Sequence, residues 1–157
     1  MLNKKTKNYL LILAVFVVSF LIRLYGLFLI FPSRKIFSKY LILGQQLLND
    51  NFFSSRAFSY SPIYCYFIAL NKLIFGDSIF CIFFIQILIG SLFCVVLFLL
   101  TRYLINTKMA LICACIACFY RTFVLYELSF LSDFLGVFLQ ILFVSSLYWV
   151  WNKTRLL

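Results

Sequence analysis

The chain has 157 residues, of which 66% are hydrophobic and 21% aromatic, and its mean hydropathy is +1.10. This composition excludes an ordinary soluble domain, which is about half apolar, and it predicts about four membrane spans of about 20 residues each. The net charge of +10 does not indicate nucleic acid as a partner, because the basic residues flank apolar segments and therefore read as topology signals and lipid contacts. The apolar segments show no strand-like alternation, so we expect an all-α, multi-pass transmembrane helix bundle.

The first predicted span covers residues 9–31 and ends at Pro32. Its apolar run continues past Arg23 and lacks a small-residue cleavage site, so we expect an uncleaved span and not a signal peptide. Arg23 lies deep in this span. It is expected to pair with Glu127 or Asp133, or to hold a lipid phosphate, with snorkelling to the interface as the alternative.

Residues 32–78 form the predicted outer loop, which contains two short helices. The segment KYLILGQQLLND has apolar residues at helical spacing and is predicted to lie on the membrane surface. The second helix is predicted to begin at Pro62 and to end at Gly76, since proline is favoured in a first turn and glycine just after a last turn. It is too short to span, so an interfacial or re-entrant position is expected.

Basic and aromatic side chains are concentrated in the same loop. Such a surface at headgroup level suits a phosphate-bearing lipid, with plain contact to anionic lipids as an equal alternative. The candidate residues for binding the lipid phosphate or the donor are Arg34, Lys35, Arg56, Tyr40, Tyr60 and Tyr64.

Three further spans are predicted, at residues 79–100, 109–125 and 128–151. In the first of these, Gln86, Gly90 and Cys94 recur at intervals of four and therefore share one face suited to close helix packing. Short basic segments at both termini and around Arg102 and Lys108 fall on one side of this arrangement. By the positive-inside rule that side is cytoplasmic, so both termini are expected in the cytoplasm and the protein in the cell (inner) membrane.

The four acidic residues fall on or near the opposite, outer face. Asp133 is expected about one turn into the last span, where Ser129, Asp133, Gly136 and Gln140 form a polar stripe that faces the bundle interior or a wet cavity. The alternative is a stripe that only packs helices together. The candidate catalytic carboxylates are Asp50, Glu127 and Asp133.

No metal and no cofactor are expected. Cys113, Cys115 and Cys118 resemble a metal-binding cluster by spacing, but residues two apart on a helix face nearly opposite ways and the chain has no His. We therefore interpret the cysteines as small packing residues.

The order of short motifs resembles the N-terminal part of a GT-C membrane glycosyltransferase of the protein O-mannosyltransferase and aminoarabinose-transferase type. The segments that carry the resemblance are YSPIYCYFIALNKLIFGDS, QILIGSLFCVVLFLLTRYL and ALICACIACFYRTFVLYELSFLSDFL. The positions that match are Tyr40, Pro62, Tyr64, Phe75, Gly76, Ser78, Gln86, Gly90, Glu127, Ser132 and Asp133.

The resemblance implies that a sugar is transferred from a polyprenyl-phosphate-linked donor at the outer membrane face. It also implies an Asp general base a few residues before Tyr40, where this chain reads SRKIFSK and has no acid. Asp50, after the amphipathic helix, is the loop's carboxylate nearest to that position. A lipid phosphate that leaves with negative charge would be met by Arg34, Lys35 and Arg56.

Two functional hypotheses follow. The first is a glycosyltransferase-like membrane protein that is a truncated product, a degenerate copy, or one part of a split assembly with a further membrane subunit. The second is a small non-catalytic multi-pass subunit that binds lipid or supports assembly. In both, membrane lipid is a partner and nucleic acid is not.

Overall fold

The computed structural model describes residues 4–30, 38–50, 60–129 and 131–154. These residues form seven α-helices and no strand, which confirms the prediction of an all-α fold. The helices are α1 (Lys4–Ile30), α2 (Lys39–Asn49), α3 (Pro62–Phe75), α4 (Ile79–Leu104), α5 (Thr107–Phe119), α6 (Arg121–Glu127) and α7 (Asp133–Thr154). Within this part of the chain α1, α4 and α7 are each long and apolar enough to cross a membrane.

Local sequence signals set several helix ends. The side chain of Ser38 accepts a hydrogen bond from the backbone N–H of Tyr40 at the start of α2, and Asn106 caps α5 through the N–H of Met109. Pro62 opens α3, and Gly76 follows its end with a φ of 68°, a conformation that glycine adopts without steric cost. Both short helices predicted between the first and second spans are therefore present with the expected starts.

Helix α4 lies at the centre of the fold and contacts α1, α3, α5, α6 and α7, while α2 packs on α3. Two apolar clusters surround α4. One includes Leu27, Phe83 and Ile87 at the end of the bundle where α2 and α3 lie, which we call the α2–α3 end. The other includes Val15 and Phe98 toward the opposite end. Because α1 and α4 share both clusters in reverse order, they run antiparallel.

The predicted third span is a bent pair of helices. Helices α5 and α6 meet at Tyr120 with a bend of 55°, and together they are long and apolar enough for a fourth span. Neither Pro nor Gly occurs at the bend. The predicted span over residues 109–125 thus falls on two helices, and its bounds stay a prediction. The bend gives α6 a direction that places Glu127 against α1 and α4.

The predicted fourth span, residues 128–151, includes a turn before its helix begins. Helix α7 starts at Asp133, after a turn at Leu128 and Ser129, and not at residue 128. An acidic residue in the first turn is favoured there, since it faces the free backbone N–H groups of the helix start. Asp133 is therefore the first residue of α7, and its depth of about one turn in the membrane stays a prediction.

Candidate functional site

A buried ion pair lies between the two apolar clusters. Nε of Arg23 donates to Oε2 of Glu127 at 2.7 Å, and both side chains have no exposed surface. Arg23 also donates to the hydroxyl of Ser19 and, from Nη2, to Sγ of Cys94 at 3.5 Å. Arg23 lies about 10 Å from the end of α1, given the rise of 1.5 Å per residue. A charge at that depth requires such a partner, so the pair holds α1 against α6.

Helix α4 provides the space for this pair. A β-carbon on Gly90 would lie 2.6 Å from Oε2 of Glu127 and closer still to Oε1, so only glycine leaves room for the carboxylate. Gln86, one turn earlier, is fully buried, and its Nε2 donates to the hydroxyl of Tyr64 on α3. The predicted α4 face of Gln86, Gly90 and Cys94 is thus buried as expected, and it carries polar contacts as well as packing.

The three tyrosines proposed from sequence come together at the α2–α3 end. The ring centre of Tyr40 lies 4.7 Å from the ring centre of Tyr64 and 5.5 Å from that of Tyr60, and both pairs are edge to face. Nζ of Lys39 lies 5.7 Å from the centre of the Tyr60 ring. A hydrogen bond with the Tyr60 hydroxyl raises the pKa of Lys39 above its ordinary value, so the ammonium stays charged. We call Lys39, Tyr40, Tyr60 and Tyr64 the tyrosine cluster.

The start of α7 adjoins this cluster on both sides of Asp133. The hydroxyl of Tyr40 donates to Oγ of Ser132 at 3.3 Å. The ring of Phe134 lies 6.0 Å from that of Tyr64, edge to face. Asp133 itself is exposed and lies between these two contacts in sequence. The two sequence neighbours of Asp133 therefore both contact the tyrosine cluster.

Asp133 also lines an apolar groove of about 680 Å³ between α4, the α5–α6 pair and α7. It is the single carboxylate among the described lining residues. The groove extends from Leu97 and Cys113, deeper in the bundle, to Asp133 at the α2–α3 end. Its lining residues are Phe93, Leu97, Cys113, Ile116, Ala117, Tyr120, Thr122, Phe123, Tyr126, Asp133, Phe134 and Val137. An apolar channel with one acid at its mouth suits an amphiphile whose polar end stays near the acid.

The other acids proposed from sequence lie elsewhere. Asp50 is exposed and follows the end of α2, where its backbone N–H caps the helix. Glu127 is enclosed by Arg23 and Gly90. Of the predicted stripe on α7, Gly136 and Gln140 are exposed, so the stripe does not form one continuous interior face. Arg34, Lys35 and Arg56, the basic residues proposed for the phosphate, lie outside the described residues.

Two contributions to the site were not predicted from sequence. Gln86 was assigned to packing, although a buried amide in the middle of a span signals a polar partner. Phe134 was not singled out at all, because one more phenylalanine in an apolar helix carries no distinctive signal. The sequence allows Arg23 to pair with Glu127 or Asp133, to hold a lipid phosphate or to snorkel to the interface, and the structure pairs it with Glu127.

A model of the family described as dolichyl-phosphate-mannose-protein mannosyltransferase matches residues 59–157, which is more than half of the chain. The match includes α3 to α7 and therefore the groove, Gln86, Glu127 and Asp133. Comparison with curated proteins and with solved structures finds no match to the chain.

Proposed function

We propose that this chain, which belongs to the dolichyl-phosphate-mannose-protein mannosyltransferase family, transfers a sugar from a polyprenyl-phosphate-linked donor at the outer membrane face. The chain is a GT-C glycosyltransferase-like membrane protein, in agreement with the resemblance of its motifs. The observation that carries the finer proposal is the position of Asp133, which lies at one end of an apolar groove and directly follows Ser132, a contact of Tyr40.

The groove accounts for the lipid part of the donor. A polyprenyl chain is apolar along its length and carries its phosphate at one end. In the groove between α4, α5–α6 and α7 its isoprene units would lie against Phe93, Ile116 and Val137. Its phosphate would then lie at the α2–α3 end, where the Lys39 ammonium and the Tyr60 hydroxyl provide charge and a hydrogen bond.

Asp133 is the proposed general base. An acceptor hydroxyl loses its proton as its oxygen attacks the anomeric carbon, while the bond from that carbon to the phosphate oxygen breaks and the phosphate keeps the electron pair. An exposed carboxylate at the mouth of the groove can take that proton. Glu127 has no such access because Arg23 and Gly90 enclose it, so we assign it to holding the helices together. Arg34, Lys35 and Arg56 remain proposed partners of the departing phosphate.

Sugar transfer in membranes tests this assignment. Membranes that contain the full chain are supplied with a labelled polyprenyl-phosphate sugar, and label in non-lipid product is measured. Asp133→Asn is expected to lower the rate at least 100-fold, the usual scale for loss of a general base. Asp77→Asn, which alters an exposed acid paired with Lys72, is the matched control and should retain the rate.

Two results would contradict the proposal. If Asp50→Asn abolished transfer while Asp133→Asn did not, the base would lie after α2. If the wild-type protein bound the labelled donor but released no product, it would be a lipid-binding protein without catalytic activity.

A further inference from the structure

Two buried polar atoms in the described part of the chain have no hydrogen-bond partner. They are Oε1 of Gln86 and Oε1 of Glu127. Such atoms are costly in an apolar interior and are rarely left unpaired. Both lie on the same face of α4, because Gly90, one turn after Gln86, is the residue against which the carboxylate of Glu127 packs.

Both atoms gain a partner if the amide of Gln86 is turned over. A rotation of 180° about its last side-chain bond exchanges the oxygen and the nitrogen, which occupy nearly the same volume. The hydroxyl of Tyr64 can then donate to Oε1 of Gln86, which makes Nε2 of Gln86 available as a donor for Oε1 of Glu127 at the next turn of α4. Oε2 of Glu127 continues to accept from Nε of Arg23 at 2.7 Å.

We propose that Gln86 is a positioning residue that connects Tyr64 in the tyrosine cluster to the buried Arg23–Glu127 pair through this continuous chain of hydrogen bonds. The chain of donors runs from Tyr64 through Gln86 to Glu127, and it joins α3, α4, α6 and α1. Each buried polar group in it has a partner, which is the condition under which a buried network stabilises a single arrangement.

This arrangement assigns different roles to the three tyrosines. With the amide of Gln86 turned over, the hydroxyl of Tyr64 donates its proton to Oε1 of Gln86, and the residue is almost fully buried. Tyr64 therefore contributes its ring, against Tyr40 and Phe134, and not a hydrogen bond to phosphate. That bond falls to Tyr60 and Lys39, because the hydroxyl of Tyr40 already donates to Oγ of Ser132. This assignment rests on the proposed function, whereas the network itself does not.

Exchange of the side chains at positions 86 and 127 tests the network through protein stability, with no measurement of enzyme activity. The midpoint of thermal unfolding in detergent is measured for Gln86→Glu, Glu127→Gln and the double variant. Each single substitution is expected to lower the midpoint by about 5 °C or more. Gln86→Glu brings two acceptors, both carboxylates, into contact, and Glu127→Gln leaves the charge of Arg23 unpaired. The double variant again has one carboxylate as acceptor and one amide as donor. It should therefore recover at least half of the summed fall in the unfolding midpoint. A double variant that loses the full sum would overturn the network.

Milder variants cover the case in which these proteins do not fold. Gln86→Leu and Tyr64→Phe each remove one end of the same hydrogen bond, so the second substitution should add no further loss to the first. Ser91→Ala is the matched control, because this buried hydroxyl on α4 donates to the carbonyl oxygen of Ile87 within its own helix at 2.7 Å. Full additivity of the two losses would overturn the link between Gln86 and Tyr64.

Donor kinetics test the positioning role. Gln86→Leu is expected to raise KM for the labelled donor about 3- to 10-fold, the effect of one lost hydrogen bond, with kcat within about twofold of wild type. A lowered midpoint with KM unchanged would overturn the positioning role. If wild-type membranes transferred no sugar, the proposed function would fail, and the exchange experiment would still judge the network.

Discussion

The carboxylate of Glu127 occupies the space that any side chain at position 90 would take. A β-carbon on Gly90 would lie 2.6 Å from Oε2 of Glu127, a separation that real β-carbons do not show. The absence of a side chain on α4 therefore allows an acid on α6 to reach Arg23 on α1. Three helices are joined at this one point in the middle of the bundle.

Gly90→Ala is expected to destabilise the protein by about 3 kcal/mol, since the added methyl group displaces Glu127 and leaves Arg23 without its partner. Thermal unfolding in detergent measures the loss. Gly136→Ala is the matched control, because no atom lies within 4 Å of its would-be β-carbon and alanine is the better helix former. A Gly90→Ala protein as stable as Gly136→Ala would show that the carboxylate does not depend on this space.

Removal of either charge of the buried pair should be costly. Arg23→Leu and Glu127→Leu each leave an uncompensated buried charge, which costs about 3–5 kcal/mol. The double variant should be more stable than either single variant, because it leaves no unpaired charge. The comparison pair is Lys72 and Asp77, where Asp77 is 83% exposed. Asp77→Asn should not change the unfolding midpoint measurably. Equal losses of stability in Asp77→Asn and Glu127→Leu would contradict the buried role of Glu127.

The number of crossings can be read from the location of the C-terminus. If α5 and α6 together form one span, the chain crosses the membrane four times and both termini lie on the cytoplasmic side. A green fluorescent protein fused after residue 157 should then fluoresce, and alkaline phosphatase fused there should be inactive. Phosphatase fused after Asn49 should be active. An active phosphatase at the C-terminus would show that α5–α6 turns back, which leaves three crossings.

Lys39 is expected to contribute to donor binding through its charge. Lys39→Gln should raise KM for a polyprenyl-phosphate donor about 3- to 10-fold, because one charge-assisted contact to phosphate is lost. Lys108→Gln is the control, since this exposed lysine lies at the other end of the bundle, at the start of α5. Equal KM values for the two variants would remove Lys39 from the site.

The sequence predicted the features that depend on local spacing. The interval of four between Gln86, Gly90 and Cys94 was sufficient to place all three on the buried face of α4. Pro62 and Gly76 were sufficient to place the ends of α3. The ordered motifs identified the family, and the match over residues 59–157 confirms it.

Features that depend on contacts between distant segments were not predictable in this way. The break at Tyr120 lies in an apolar run without Pro or Gly, so no local signal marks it. The pairing of Arg23 with Glu127, 104 residues away, requires the bend of α6 and the space at Gly90. The start of α7 at Asp133 depends on the turn that precedes it.

Photolabelling with a polyprenyl phosphate that carries a diazirine on its isoprene chain tests the proposed donor site most directly. Labelled peptides from the full chain are mapped, with unlabelled polyprenyl phosphate as competitor. We predict competed label on groove residues of α5 to α7, such as Ile116, Phe123 and Val137. Label that is equally strong on the exposed α1 residues Leu13 and Leu21, and that the competitor does not reduce, would show plain lipid contact and contradict the site.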